Sequence, residues 1–255
     1  MFKIHYAHIG GSMKENKYDD DAFFDKYSGM RRSVEGLAGA GEWQELKKLL
    51  PDFKGLKVLD LGCGYGWHCI YAAEQGAELV LGTDISIKML EVARSKTNFP
   101  EVDYLCCAME DLVLEENSFD VVISSLALHY IDDYKNLVKS IRRWLIPNGK
   151  LIFSVEHPVF TAYGTQDWYC GANGEILHFP VDNYYYEGKR STAFLGEMVE
   201  KYHRTITTYC NTLLEEGFTI KHIVEPQPPE DMMGIPGMKD EMRRPMMLLV
   251  SAVKN

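Results

Sequence analysis

Apolar positions along this chain switch between two rhythms. Short runs of strand character recur at residues 58–61, 79–81, 102–106, 119–124 and 151–155. Between them, residues 67–75, 87–96 and 134–145 carry apolar side chains at helical spacing, as in Ile87, Leu90, Val92 and Ala93, and the last of these stretches stops before Pro147. Strands alternating with helices at this interval predict an α/β fold, a doubly wound parallel sheet with right-handed crossovers. Residues 119–124 are almost continuously apolar, as a strand covered on both faces should be. Ligands of such sheets gather at the carboxyl ends of the strands, where Gly62, Asp84, Met109, Ser124 and Glu156 are expected.

The flanks are less regular. Residues 1–17 have weak periodicity and mixed charge and read as a frayed arm. Phe23, Phe24 and Tyr27 then share one helix face, and residues 43–50 form an amphipathic helix with Trp43, Leu46, Leu49 and Leu50 on one side, stopped by Pro51, so residues 1–50 make a helical N-terminal segment. Regularity lapses over residues 156–201, which hold Phe160, Tyr163, Trp168, Tyr169, Phe179 and Tyr184, Tyr185 and Tyr186 with glycines between. Structureless connections seldom exceed about 12–15 residues, so this insertion is functional or a small subdomain. A lid over the carboxyl edge, enclosing a largely apolar or aromatic ligand, is the favoured expectation. Aromatics that only cement the insertion to the sheet, or that form a homodimer contact, are the alternatives. A helix at 205–216, a strand at 219–224, a proline-rich loop at 226–237 and a strand at 246–253 complete a chain expected to form one domain over residues 1–255.

The stretch 57–84 organises the rest. Gly62, Gly64 and Gly66 separate a strand from a helix, which suits a turn needing positive φ or close approach of a ligand to the backbone. The helix start offers free N–H groups to an anion. Asp84 ends the next strand, where an acid can accept both hydroxyls of a ribose. A dinucleotide fingerprint would place its third glycine at position 67, which is Trp67, and this weakens a nicotinamide oxidoreductase reading.

Asp60-Leu61-Gly62-Cys63-Gly64-Tyr65-Gly66 instead resembles the first motif of class I S-adenosylmethionine-dependent methyltransferases. Three further strings repeat the resemblance in order: Asp84-Ile85-Ser86 with Met89-Leu90, Met109-Glu110-Asp111-Leu112 with Ser118-Phe119-Asp120, and Pro147-Asn148-Gly149-Lys150-Leu151. The group that includes the ubiquinone and menaquinone C-methyltransferases, of methyltransferase type 11, is the one resembled. The resemblance implies a Rossmann-like sheet of seven mostly parallel strands in the order 3-2-1-4-5-7-6, with the insertion after strand five. It also implies an enzyme using S-adenosyl-L-methionine to methylate a small molecule by in-line displacement. In such an enzyme Gly62, Cys63, Gly64 and Gly66 would bring the backbone to the methionine part, with Asp60 near its ammonium. Asp84 would hold the ribose, Ile85, Met109 and Glu110 the adenine, and Ser124 would border the site. Ala108 departs from the acid many relatives carry beside adenine. The N-terminal segment of the family often covers the cofactor, which would bring Tyr27 or Arg31 to it. For a general base, His157 after strand five is the first candidate and His129 after strand four the second; His203 reads better as a satisfied structural histidine. A cofactor-binding regulatory protein without turnover is the alternative function.

Composition narrows the partners. The chain has 255 residues, 46% hydrophobic and 25% charged, enough for a full core. A formal net charge of −10 argues against a nucleic-acid backbone as main partner, and Ser124-Ser125-Leu126 stands where amino-directed nucleic-acid methyltransferases carry Asn-Pro-Pro or Asp-Pro-Pro. Six cysteines occur with no C-x-x-C pair, so no metal ribbon is expected, and Cys63, Cys106 and Cys107 read as buried free thiols. No leader or membrane-length apolar run is evident, which makes the cytoplasm the expected location.

Overall fold

The computed structural model describes residues 16–255. Residues 1–15 of the expected N-terminal arm lie outside it. The chain enters through a short 3₁₀ turn, then α1 (Asp21–Ser28), the single turn α2 (Arg31–Val34) and α3 (Trp43–Leu49). Five strands alternate with helices as the spacing requires: β1 (Lys57–Leu61), α4 (Trp67–Glu74), β2 (Leu79–Asp84), α5 (Ile87–Lys96), β3 (Val102–Cys106), β4 (Phe119–Ser125), α6 (Tyr134–Trp144) and β5 (Leu145–Glu156). The insertion, expected to be functional or a small subdomain, is built of α7 (Pro158–Thr161) and two hairpins, β6 (Tyr169–Cys170) with β7 (Ile176–His178) and β8 (Gly188–Phe194) with β9 (Glu197–His203). Then follow α8 (Ile206–Glu215), β10 (Phe218–Val224), α9 (Met238–Glu241) and β11 (Met247–Lys254).

The main sheet runs β10-β11-β5-β4-β1-β2-β3. Counting only its own strands, this is the expected order 3-2-1-4-5-7-6. Strands one to five are parallel, and β11 pairs antiparallel with both β5 and β10. Helices cover both faces, so successive side chains of one strand enter opposite cores. Leu59, Val122, Phe153 and Val250 pack with α6 and α8, while their neighbours Val58, Ile123, Ile152 and Leu249 pack with α3, α4 and α5. Strand β5 begins earlier than the apolar run, because pairing with β4 resumes at Leu145 across an irregular turn where Asn148 adopts φ 63°.

The insertion is fastened from below by a cation. The Arg244 guanidinium lies 4.4 Å from the Phe160 ring centre, 4.6 Å from that of Phe179 and 5.0 Å from that of Trp168, and Glu241 holds it at 2.7 Å. All six cysteines are free; Cys63 is buried as expected, but Cys106 is exposed and Cys107 only half-buried, since β3 is the sheet's edge strand. No helix among the described residues is long and apolar enough to cross a membrane.

Arg244→Ala removes the charge shared by three rings and should destabilise the fold by about 2 kcal/mol, with new protease cleavage between residues 160 and 180. Urea denaturation and limited proteolysis measure both. An unchanged midpoint with no new cleavage would show that the cage does not fasten the insertion.

Candidate active site

A cavity of about 700 Å³ lies over the carboxyl ends of the parallel strands, within the roughly 300–1,000 Å³ common for small-molecule sites. Its floor is the glycine turn after β1 and the ends of β2 and β4. Gly62 adopts φ 72°, and a Cβ there would overlap Ala127 and come within 3.3 Å of Met109 Cε, so both backbone and space require glycine. Gly64 adopts φ 53°, and a Cβ there would meet no atom within 4 Å, because it faces the cavity. Gly66 is different. It is the left-handed cap of α4, lies off the cavity, and a Cβ would collide with the Tyr104 hydroxyl.

Asp84 fixes this turn. Its Oδ2 accepts the Gly64 N–H at 2.9 Å and its Oδ1 the Ser86 N–H at 2.9 Å. Burial raises its carboxyl above the ordinary value, against the opposing pull of those two N–H groups. Ile85, Ala108, Met109 and Glu110 line the same end of the cavity, Cys63 the floor, and His129 the wall beyond β4. Those expected site residues are brought together. Besides Gly66, three others are not. Asp60 lies on the cavity-side face of β1 but under α4, where Cys69 Sγ donates to its Oδ2 at 3.3 Å and its Oδ1 has no partner. Ser124 points to the other face, donating to the Leu61 carbonyl at 2.8 Å, and the adjacent Ser125 lines the cavity instead. His157 also points to the other face. Its Nδ1 caps α7 by accepting the Val159 N–H at 3.0 Å, and its Nε2 sits 2.8 Å from Glu225 Oε1. It does not line the cavity, so its expected role as base has no geometric footing.

His203 is the satisfied histidine expected, bound to Thr161 Oγ1 at 2.7 Å and the Tyr184 carbonyl at 2.9 Å. His129 is 2% exposed and its Nδ1 accepts the Glu156 N–H at 3.4 Å, which puts the proton of the neutral ring on Nε2. Burial lowers its pKa to about 4. Beside it, Glu156 is held by Lys201 at 2.6 Å and Gln166 at 2.7 Å. Burial opposes the Glu156 charge, but His129 and Lys201 keep its carboxyl below the ordinary range.

The roof comes from two directions. Tyr27 and Arg31 of the N-terminal segment line the cavity, as do Arg32 and Glu42, which sequence reasoning passed over. Nothing in the local pattern marks Glu42 as buried, since an acid just before an amphipathic helix is usually solvated; Arg32 was signalled only by its neighbour Arg31. The β8–β9 hairpin supplies Phe194, Val199 and Lys201, and Phe194 meets Phe23 of α1 at 5.8 Å. None of the aromatics singled out in the insertion lines the cavity. Phe160, Trp168 and Phe179 surround Arg244, while Tyr185 and Tyr186 are 88% and 75% exposed. The enclosing rings are instead Tyr18, Tyr27, Tyr65, Trp67, Tyr130, Phe194 and Tyr202.

Residues 59–153 match a family model described as a methyltransferase domain. The structure is similar to that of a proposed S-adenosylmethionine dependent methyltransferase from Listeria monocytogenes, at 56% identity and TM-score 0.83, covering 86% of this chain and 99% of that one. An S-adenosylmethionine dependent methyltransferase from Mesorhizobium loti is similar at 41% identity and TM-score 0.79, covering 86% and 100%. A ubiquinone biosynthesis O-methyltransferase from Neisseria meningitidis is 31% identical over 157 residues, covering 56% of this chain and 65% of that protein.

Burial pushes Asp60 from 3.8 up to about 7, so between those values the folded state holds a proton that the unfolded chain releases. Stability should therefore fall as pH rises through that window. Asp60→Asn should raise the free energy of unfolding at pH 8 by on the order of 2 kcal/mol, with the gain gone near pH 4. Thermal denaturation of the ligand-free protein across that range measures it, and a variant no more stable at pH 8 than wild type would refute the buried-carboxyl account.

Proposed function

This chain belongs to the S-adenosylmethionine-dependent methyltransferases, and we propose that it moves the methyl group to a small-molecule acceptor held beside Glu156, His129 and Lys201. The observation that carries the reading is a cavity of about 700 Å³ running from Asp84 and the glycine turn to those three side chains. The residues fit the cofactor, since the Gly64 backbone is bare toward the cavity and Asp84 has acceptor capacity left beyond its two N–H partners.

Bound S-adenosylmethionine supplies a methyl group already activated by its sulfonium. The protein's share is placement: Gly62 to Gly64 receive the methionine part, Asp84 the ribose hydroxyls, and Ile85, Met109 and Glu110 the adenine. Holding the acceptor in line can lower the barrier by roughly 7–11 kcal/mol without any side-chain base. His129 acts as a donor from Nε2, orienting an acceptor oxygen or nitrogen, because its Nδ1 already takes the Glu156 N–H. The N-terminal segment and the β8–β9 hairpin exclude water from the transfer. Residues 156–201 thus contribute to enclosure through the hairpin rather than through their most aromatic stretch.

Calorimetric titration should show binding of S-adenosylmethionine and S-adenosylhomocysteine and none of NAD, and Asp84→Ala should weaken both by roughly 10- to 150-fold. Tight NAD binding with no response to the other two would end the reading. With His129 titrating at about 4, kcat/KM should cross the range from about pH 5.5 to 8 without a histidine inflection. An inflection near neutrality that His129→Asn abolishes would restore His129 as a base.

A further inference from the structure

Asp60 lies beneath α4, away from the cavity, so the ammonium of the methionine part has no acid from β1 to meet. An unsatisfied carboxylate oxygen stands elsewhere on the wall. Glu42 is 1% exposed; its Oε1 accepts from Arg32 Nη2 at 2.6 Å and from Ser125 Oγ at 3.3 Å, and its Oε2 has no partner at all. Leaving a buried acceptor unpaired costs about 1–3 kcal/mol, more when it is charged, and Glu42 stands in the cavity wall, so it has capacity for one further donor once the side chain turns to admit it. Burial opposes the Glu42 charge, but Arg32 together with a backbone N–H keeps its carboxyl below the ordinary range.

Position identifies the donor. Ser125 ends β4, Asp84 ends β2, and β1 with its glycine turn lies between them. The Glu42 carboxylate touches Ser125, and both Arg32 and Glu42 act electrostatically on His68 in the first turn of α4. The pair therefore stands across the glycine turn from the ribose acid, where the far end of a ligand anchored at Asp84 arrives. Arg32 lines the same cavity, its side chain is 25% exposed, and its Glu42 contact uses one nitrogen of a group carrying five N–H donors. A cation and an anion side by side are complementary to a group that is itself a cation and an anion side by side.

We propose that Arg32 and Glu42 form the receptor for the amino-acid end of the cofactor, the free Glu42 oxygen accepting its ammonium and the Arg32 guanidinium its carboxylate. The proposal rests on the S-adenosylmethionine reading of the cavity. It assigns cofactor recognition to the N-terminal segment, outside the four motifs, and leaves Asp60 a buried group under α4. Because the ligand brings equal and opposite charges to a pair already neutral overall, no lone charge is stranded when the site is empty or full.

The test compares S-adenosylhomocysteine with 5′-methylthioadenosine, which keeps the adenosine and the thioether and lacks the amino-acid end. By calorimetry wild type should bind S-adenosylhomocysteine the more tightly, and Glu42→Gln should weaken it by roughly 10- to 150-fold while methylthioadenosine affinity stays within about twofold. Arg32→Lys, which keeps the counter-charge but loses the planar fork, should show the same selective loss, and it serves if Glu42→Gln folds poorly. Parallel weakening of both ligands would mean that Glu42 only shapes the pocket, and unchanged S-adenosylhomocysteine affinity would assign its free oxygen to some other ligand; either overturns the proposal. Wild type binding neither ligand would instead remove the cofactor reading, and the receptor with it.

Discussion

The pleat of a sheet covered on both faces governs everything at the strand ends. Side chains alternate strictly between the two cores, so at each carboxyl end one residue can turn toward the face that carries α3, α4 and α5 and its neighbour cannot. Ser125 reaches the cavity and Ser124 hydrogen-bonds within the sheet; Glu156 reaches it and His157 is committed to α7 and Glu225. Asp60 and Asp84 share the productive face, but Asp84 sits at the very end of its strand whereas Asp60 is one residue inside and roofed by Cys69. A displacement of one position along a strand separates a ligand-facing group from a structural one.

This explains what could be read from the chain. Strand and helix alternation, the glycine turn and the acid after β2 are local patterns, and they predicted the doubly wound sheet, while the strand order came from the family resemblance those patterns carry. Choosing between Ser124 and Ser125, or between Glu156 and His157, needed the register of a strand against its neighbours, which a continuous apolar run does not reveal because both faces are apolar. The roof was harder still. Tyr18 meets Tyr130 at 3.1 Å and Glu42 meets Ser125 at 3.3 Å across separations of 112 and 83 residues, and no periodicity encodes such meetings. The aromatic density of residues 160–186 misled for a physical reason: rings also surround a buried guanidinium, and three of the bulkiest are occupied with Arg244.

The N-terminal segment is docked by polar contacts as well as by the buried Phe23, Trp43 and Leu46. Asp19 accepts from Ser86 Oγ at 2.6 Å and from the Lys88 N–H at 3.2 Å, placing an acid at the N-terminus of α5, and Asp21 pairs with Lys88. Ser86 N–H in turn donates to Asp84. Roof, helix start and Asp84 therefore form one chain of hydrogen bonds, and a ligand that engages Asp84 also loads the contact holding the segment in place.

Two buried ion pairs complete the enclosure, Arg32 with Glu42 and Lys201 with Glu156, each at 2.6 Å. Such pairs are poor sources of net stability, because desolvation offsets most of their attraction, yet breaking one strands a charge at a cost of about 3–5 kcal/mol. Their value is in register. Arg32 and Glu42 fold the N-terminal segment back on itself above Ser125 at the end of β4, and Lys201 ties the β8–β9 hairpin to Glu156 at the end of β5. Apolar contacts such as Phe23 against Phe194 could slide; a buried carboxylate cannot leave its cation without stranding a charge. The same side chains that hold the roof thus present its charges to whatever lies beneath, so enclosure and recognition are one property, and a ligand satisfying those charges must also stabilise the docked roof by linkage.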